Sequence, residues 1–447
     1  MGCNTLLNQT ERLKQFMNIL IKDILTVLPD STEICSVYIS GDKIVSVQKG
    51  SDNSVEPKDF KADKTINGTD KLLMPGFINA HTHAPMTILR NCADDLLFND
   101  WLFSKILPLE EKLTGEDCYW GTMLSMIEMI STGTTSFIDM YYFLDDMARA
   151  VDEAGMRAVL SRGLISDSND PSVGESRLHE AFEIMDRWKS NSHIDFMLAP
   201  HAPYTCDFGY LQEVAQEAKS RDLRIKSHLS EGPVETVTIK DKYDCTPTEL
   251  YEKAGILSDK ILVAHCVQVT DNDIEILAKH NVNIVTNPVS NLKLANGIAP
   301  VPKMLKAGIN VALGTDGAAS NNSLNMFREL AFLALVHKGV NRDAVAVTAS
   351  DAFTIATKNG AKVMGRDDLG EIKAGNTADL VLLDLNCPNM QPLNNPRSSL
   401  AYSANGSEVS TVIVGGRILM ENKEFTTIDT EKVYYNISKI CERIGIQ

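Results

Sequence analysis

No two of the nine cysteines stand in a C-x-x-C spacing. They are scattered at positions 3, 35, 92, 118, 206, 245, 266, 387 and 441. An odd, irregular set argues against a disulfide scaffold and for a reducing compartment. The same absence excludes the small zinc deaminases, whose signature carries P-C-x-x-C. No run of ~18 apolar residues suggests a membrane span. The stretch Met1–Gln15 lacks the apolar centre of a secretion signal. The Met-Gly-Cys start has Leu6 where a myristoylation motif needs Ser or Thr. Basic charge is short, with 43 Lys+Arg against 59 Asp+Glu and a formal net charge of −16. That balance argues against nucleic-acid or anionic-membrane partners. Internal repeats and low-complexity tracts are absent too. The expectation is a cytoplasmic protein.

What is present is 447 residues, 44% hydrophobic and 23% charged, an ordinary globular composition. The length fits one large α/β barrel plus a smaller domain. Residues 1–16 are mostly polar and read as an N-terminal extension. Ile19–Val27, Ile34–Ser40 and Lys43–Gln48 alternate apolar and polar residues between turn signals and read as antiparallel strands. Leu380–Leu385, Val409–Val414 and Arg417–Met420 look similar, the last two joined by a Gly415-Gly416 hairpin turn. Two β-rich ends around a different middle imply a composite β domain from 17–74 and 366–447. Between them, 75–365 alternates strand-like and helix-like runs. The strands are Leu72–Ala80, Thr135–Met140, Ala158–Gly163, Phe196–Pro200, Leu223–Ser227, Ile261–Ala264, Asn283–Thr286 and Val311–Gly314. Eight β/α alternations favour an α/β fold of the (β/α)8 TIM-barrel type.

Each expected strand ends in a polar or ionisable residue: His81/His83, Asp139, Arg162, His201, His228, His265, Asn287 and Asp316. In a barrel these ends converge on one face, where catalytic loops sit. Five of the nine histidines fall there. His81 and His83 are two apart, which on a strand puts both on one side at ~6–7 Å. His228, His265 and Asp316 add further imidazoles and a carboxylate, donors that suit zinc or ferrous iron.

At this point a resemblance carries the reading further. Met74-Pro-Gly-Phe-Ile-Asn-Ala-His-Thr-His83, His228-Leu-Ser-Glu231, Ala264-His265-Cys266 and Gly314-Thr-Asp-Gly317 resemble the amidohydrolase superfamily. The tail Gly370-Glu-Ile-Lys-Ala-Gly-Asn-Thr-Ala-Asp379 resembles that family's return to its small β domain. The resemblance implies a metal-bearing (β/α)8 barrel with a flanking β-sandwich, and metal ligands at His81, His83, His228 and Asp316. Binuclear members bridge two metals with a Lys or Glu at the end of strand four. Here that strand ends in Pro200-His201-Ala-Pro-Tyr204, which favours one divalent metal, Zn2+ first and Fe2+ or Mn2+ as alternatives. This points to the deaminase branch. Glu231 is then the expected proton shuttle to a ring nitrogen and the leaving ammonia. His265 holds and polarises the attacking water, and Asp316 accepts its proton.

A narrower resemblance concerns Ala84–Arg90, Trp101–Glu111, Ser290–Pro300 and Thr315–Asn322, which are similar to the S-adenosylhomocysteine/5′-methylthioadenosine deaminases. It implies that Glu110 accepts from the two ribose hydroxyls and that His201 faces the nucleoside. Arg162 and Arg177 fit an amino-acid carboxylate on a 5′ substituent. Trp101 covers the base or the 5′ tail, and Ser320 bonds the substrate. The family also suggests a homo-oligomer. The alternatives are another aminohydrolase, acting on guanine, cytosine or a triazine, and a non-catalytic barrel. Glu110 favours a ribose over free bases, and a complete ligand set with Glu231 disfavours a barrel without catalysis.

Overall fold

The computed structural model describes residues 17–50 and 57–446. The expected extension at residues 1–16 lies outside them. Eight parallel strands form one sheet in sequence order: Phe77–Thr82, Thr134–Asp139, Arg157–Leu164, Ile194–Pro200, Ile225–Leu229, Ile261–His265, Asn283–Thr286 and Asn310–Leu313. We number them one to eight. They curl into a barrel, as the β/α alternation predicts. Strands one and eight meet through side chains: Asn79 donates to Thr315 Oγ1 at 2.7 Å and accepts from the Thr315 backbone N–H at 3.0 Å. The Asp316 N–H then donates to the His81 carbonyl at 2.9 Å. Seven strands fill the interior with apolar side chains, among them Ile78, Ile138, Val159, Met197, Leu262 and Val285. Strand five places Lys226 at the corresponding position, fully buried, with its Nζ donating to the Ile138 carbonyl at 3.0 Å.

The outer helices start where local chemistry starts them. Thr114 and Asp117 form a capping box before Gly115–Ser131, as do Thr246 and Glu249 before Pro247–Ala254 and Thr270 and Asp273 before Asp271–Lys279. Asp207 caps Phe208–Ser220.

The second sheet has nine strands drawn from both ends of the chain. Its order is Glu424–Phe425, Arg417–Glu421, Val409–Val414, Leu380–Asp384, Lys71–Pro75, Ile19–Val27, Thr32–Ser40 and Lys43–Lys49, with Lys64–Asn67 also beside Ile19–Val27. The sheet folds over on itself as a sandwich. The Ile44 N–H donates to the Asn376 carbonyl at 2.8 Å, and a Cβ on Gly416 would lie 1.9 Å from the Gly41 carbonyl. Ile21, Val37, Leu382 and Ile413 are buried between its halves. The Gly415-Gly416 hairpin is present, with φ of +54° and +72°, the positive pair that glycine supplies without strain.

The expected strand Leu72–Ala80 is two strands. Lys71–Pro75 belongs to the nine-stranded sheet and Phe77–Thr82 to the barrel. Gly76 stands between them, where a Cβ would lie 2.1 Å from Thr135 Oγ1, so the chain changes sheets in a space with no room for a side chain. Arg157 and Asp379 join the layers in a buried bidentate pair at 3.1 and 3.3 Å. The end of the 366–447 range departs from the expected β domain. Helix Thr430–Ile444 packs on the barrel helix Gly115–Ser131, because its apolar stripe (Val433, Ile440, Ile444) joins the barrel's core. The Lys112 ammonium donates to the Ile444 carbonyl at 2.9 Å.

Between strand one and helix Gly115–Ser131 the chain folds over the barrel mouth as a 3-10 turn, Ala84–Leu89, a π-helical turn, Asp100–Ile106, and a short helix, Leu107–Glu110. No helix among the described residues is long and apolar enough to cross a membrane.

Candidate active site

His81, His83, His228, His265 and Asp316 meet at the C-terminal mouth of the barrel. The pairing register shifts between Asn79 and Thr82, a bulge-like break at the end of strand one. His81 and His83 both lie 3.2 Å from Asp316 Oδ1 through their Nε2 atoms. Ring centroids are 4.9 Å apart for His81 and His83 and 5.0 Å for His81 and His228. Two overlapping sets, His81/His83/His228 and His81/His265/Asp316, each bring one donor atom per residue within 4.8 Å of the others.

The hydrogen bonds behind the rings fix which nitrogen faces inward. His83 Nδ1 donates to the Met140 carbonyl at 2.6 Å and His228 Nδ1 to the His201 carbonyl at 2.7 Å. A proton held on Nδ1 leaves Nε2 with a lone pair, the form a metal binds. Burial pushes His81 and His228 well below the ordinary histidine range, so both rings are neutral. Burial alone would raise Asp316, but His81 and His83 hold its carboxyl well below the usual range. His81 is fully buried; its Nε2 faces Asp316 Oδ1 and its Nδ1 has no hydrogen-bond partner. A buried ring nitrogen with nothing to bond is costly. Three imidazoles converging with an ionised carboxylate fit a divalent cation.

Asp316 Oδ2, the oxygen turned away from the histidines, accepts from Ser290 at 2.7 Å and Ser320 at 2.9 Å. Ser320, expected on substrate, thus spends its hydroxyl on Asp316, although it still lines the cleft. Glu231 follows strand five and faces His265 Nε2 at 3.9 Å. Burial raises its pKa, with His265 opposing. A buried carboxyl facing the cluster in this way is placed to carry a proton. Glu235, one turn into helix Pro233–Tyr243, accepts from the Ser230 and Glu231 N–H groups at 2.9 and 3.0 Å. Under the cluster, burial raises the Asp139 carboxyl and lowers the Lys226 amine, and each opposes the other's shift.

Above the cluster opens a cleft. His83, His228, His265, Asp316 and Glu231 line its floor, with His201, Glu110 and Trp101 among its other lining residues. Met86, Phe98, Leu102, Met140, Tyr142 and Ile165 give it mostly apolar walls. Glu110 is 9% exposed and lies beside the Tyr141 hydroxyl. Burial raises its pKa, with that hydroxyl opposing. His201 Nδ1 pairs with Thr205 Oγ1 at 3.1 Å, and burial lowers the ring to about 4, so it is a neutral hydrogen-bonding group. Trp101 sits on the π-helical turn, its indole N–H donating to the Ala319 carbonyl at 3.3 Å.

The two arginines sit differently from the expectation. Arg162 is inside strand three and turns outward to Glu180 of helix Ser172–Trp188 at 3.0 Å, with its guanidinium 4.9 Å from the Tyr142 ring centroid. Arg177 lies in the second turn of that helix, not at its start, and donates to the Gly163 carbonyl at 3.2 Å. Neither arginine lines the cleft; Gly163 and Tyr142 do. Sequence reasoning assigned no role to Ser290, Glu235 or Lys226. Ser290 stood inside a family-like run, which was a signal. A lysine on the inner face of a strand two residues before His228 was another.

Residues 72–419 match the sequence profile of the Amidohydrolase family. The chain belongs to the amidohydrolase family. A 5-methylthioadenosine/S-adenosylhomocysteine deaminase of Thermoanaerobacter pseudethanolicus is 46% identical over 435 residues, 96% of this chain and 99% of that protein. A protein of the same description from Acetivibrio thermocellus is 48% identical over 390 residues, 87% of this chain and 90% of its own. Among solved structures, an adenosine deaminase from Xanthomonas campestris with bound zinc is 33% identical, with a TM-score of 0.92 over 96% of this chain and 99% of that one. The atrazine chlorohydrolase TrzN of Arthrobacter aurescens, 24% identical with a TM-score of 0.86, covers 94% of this chain and 99% of its own and shares the fold. An amidohydrolase barrel with its flanking β domain and a His/Asp group able to hold a metal is therefore the setting for the chemistry.

Proposed function

We propose that this amidohydrolase is a metal-dependent hydrolytic deaminase. It converts the adenine of S-adenosylhomocysteine, 5′-methylthioadenosine or a related 5′-modified adenosine to its hypoxanthine analogue and ammonia. The observation that carries the reading is one cleft holding Glu231 and His265 over the His/Asp cluster together with a buried Glu110 carboxyl beside the Tyr141 hydroxyl. His81, His83, His228 and Asp316 would hold the metal, with zinc the first candidate. A divalent metal there supplies Lewis acidity that brings a water's pKa to ~7.

The protein's own groups do the rest. His265 Nδ1 is bonded to Asn291 Oδ1 at 2.8 Å, so Nε2 is free to accept from the attacking water. Asp316 takes a proton from that water. Glu231 carries a proton to the ring nitrogen as water adds to the amine-bearing carbon, since the ring otherwise holds an unneutralised negative charge. Recharged with the proton that Asp316 took, Glu231 then delivers it to the departing amine, and the adduct hydroxyl's proton restores Glu231 as the carbonyl forms and ammonia leaves. Glu110 can accept from both vicinal ribose hydroxyls. The neutral His201 ring faces the nucleoside, and Trp101 and the apolar walls exclude water. Arg162 and Arg177 supply positive charge behind Gly163 for a carboxylate-bearing 5′ tail.

The test is ammonia release with the adenine-to-hypoxanthine absorbance change, using zinc-loaded protein on adenosine, S-adenosylhomocysteine, 5′-methylthioadenosine, 5′-deoxyadenosine and guanine. Turnover of the 5′-substituted adenosines, abolished in Glu231→Gln, supports the reading. Activity on guanine alone refutes it. The same reading carries cytoplasmic residence and assembly as a homo-oligomer, which sedimentation of the purified protein checks.

A further inference from the structure

The loop after strand seven adds no donor to the metal cluster, and barrel chemistry is usually sought at other strand ends. Yet three of its side chains each bond one reacting group. Ser290 Oγ donates to Asp316 Oδ2 at 2.7 Å. Asn291 Oδ1 accepts from His265 Nδ1 at 2.8 Å. Asn296 Nδ2 donates to Glu231 Oε1 at 3.3 Å. All three residues are buried, none above 4% exposure.

The segment is also rigid in itself. Helix Pro288–Lys293 starts on a proline, and the Asn296 N–H returns to the Asn291 carbonyl at 2.9 Å. Gln268 donates to the Asn296 carbonyl at 2.7 Å. A Cβ on Gly232 would lie 2.9 Å from Asn296 Oδ1, so the Glu231 turn is packed directly onto that amide. Three bonds from one short, self-bonded segment set the relative positions of a base, a water-holding imidazole and a proton carrier. Misplacing such groups by ~1 Å costs on the order of 100-fold in rate.

We propose that Ser290, Asn291 and Asn296 are positioning residues that hold Asp316, His265 and Glu231 in register as one unit. Asn291 fixes the His265 tautomer. Asn296 occupies one Glu231 oxygen and leaves the other for substrate. The proposal rests on the roles given above to Asp316, His265 and Glu231.

The chemistry of the bonds differs, and this provides the test. Asn291 acts as an acceptor, so Asp can replace it. Asn296 acts as a donor, so Asp there sets two carboxylates against each other. Steady-state kinetics on 5′-methylthioadenosine should show kcat down about 10- to 100-fold in Asn291→Ala with KM nearly unchanged. Asn291→Asp should recover most of that loss. At position 296 the order should invert, with Asn296→Asp worse than Asn296→Ala. Ser290→Ala should release zinc to a chelator about 10-fold faster, read as metal content rather than activity. Thermal midpoints of all variants are measured alongside. If Asn291→Asp is as damaged as Asn291→Ala, or Asn296→Asp is the milder of its pair, the side chains are merely structural and the proposal falls. Glu231→Gln separates the two failures. Full activity in that variant overturns the reading of the site, whereas its inactivity beside a fully active Asn291→Ala overturns only the positioning role.

Discussion

Replacing Glu110 by Gln should weaken the substrate complex and strengthen the fold at the same time. In the free protein Glu110 is 9% exposed, and the Tyr141 hydroxyl only partly offsets the burial of its carboxyl. An unsatisfied buried polar group costs about 1–3 kcal/mol. Burial raises the folded-state pKa above the unfolded value of ~4.3. The folded protein therefore holds this proton more tightly than the unfolded chain does. Stability falls as pH rises from that unfolded value through the raised folded value, and the full penalty is present once the group is ionised. Gln carries no charge, so the variant should melt higher at pH 8 and lose this part of the pH dependence. Against substrate the sign reverses. A carboxylate accepting from two hydroxyls makes two charge-assisted bonds, and Gln keeps one neutral acceptor. A loss of about 2–3 kcal/mol is about 30- to 150-fold in kcat/KM for 5′-methylthioadenosine. Residual turnover of free adenine should be untouched. Parallel melts and absorbance assays decide it. An equal loss on nucleoside and free base, or a lower melting point in Glu110→Gln, refutes the ribose assignment.

Other outcomes follow from the same structure. Asp379→Ala strands the buried Arg157 guanidinium and should cost about 3–5 kcal/mol, read from the urea midpoint. A change below ~1 kcal/mol means the pair does not join the layers. Gly76→Ala drives a methyl into Thr135 and should destabilise by about 1–3 kcal/mol, unless Thr135 has room to move. Arg366 and Lys43 hold the Asp368 carboxyl well below the usual range against the effect of burial. Its contribution, about 1 kcal/mol at this partial exposure, should be full above pH ~4 and fade as pH falls further. Wild type and Asp368→Asn should then converge in acid melts. Chelation should abolish deamination and lower the melting point, and zinc at 100 times its dissociation constant should restore about 2.7 kcal/mol.

Much of the site was legible because barrel topology turns chain order into proximity. A strand end in one β/α unit meets every other strand end, so His81, His83, His228, His265 and Asp316 converge although 235 positions separate the first from the last. Arg162 shows the limit of that argument. It stands among the strand-end residues, but the pleat turns it to the outside, where Glu180 takes it. Ser320 shows another. A hydroxyl near a carboxylate and a substrate can serve either, and here it bonds Asp316. The Leu72–Ala80 run reads as one strand because apolar pattern carries no signal for a change of sheet. The strand pairing reveals it, and the tight contact between Gly76 and Thr135 marks the crossing.

By itself, then, the chain's pattern of strands, polar strand ends and family-like runs determined the barrel, the β domain built from both ends and the convergence of a His/Asp group able to hold a metal. These depend on periodicity and residue type, which are local. The tertiary structure decided what touches what. It set both arginines behind the Gly163 carbonyl rather than on the cleft wall, and it buried Glu110 beside the Tyr141 hydroxyl. It also set Ser290, Asn291 and Asn296 behind three different reacting groups. Those contacts join residues tens of positions apart through hydrogen bonds of about 3 Å, and no local pattern specifies a distance of that kind.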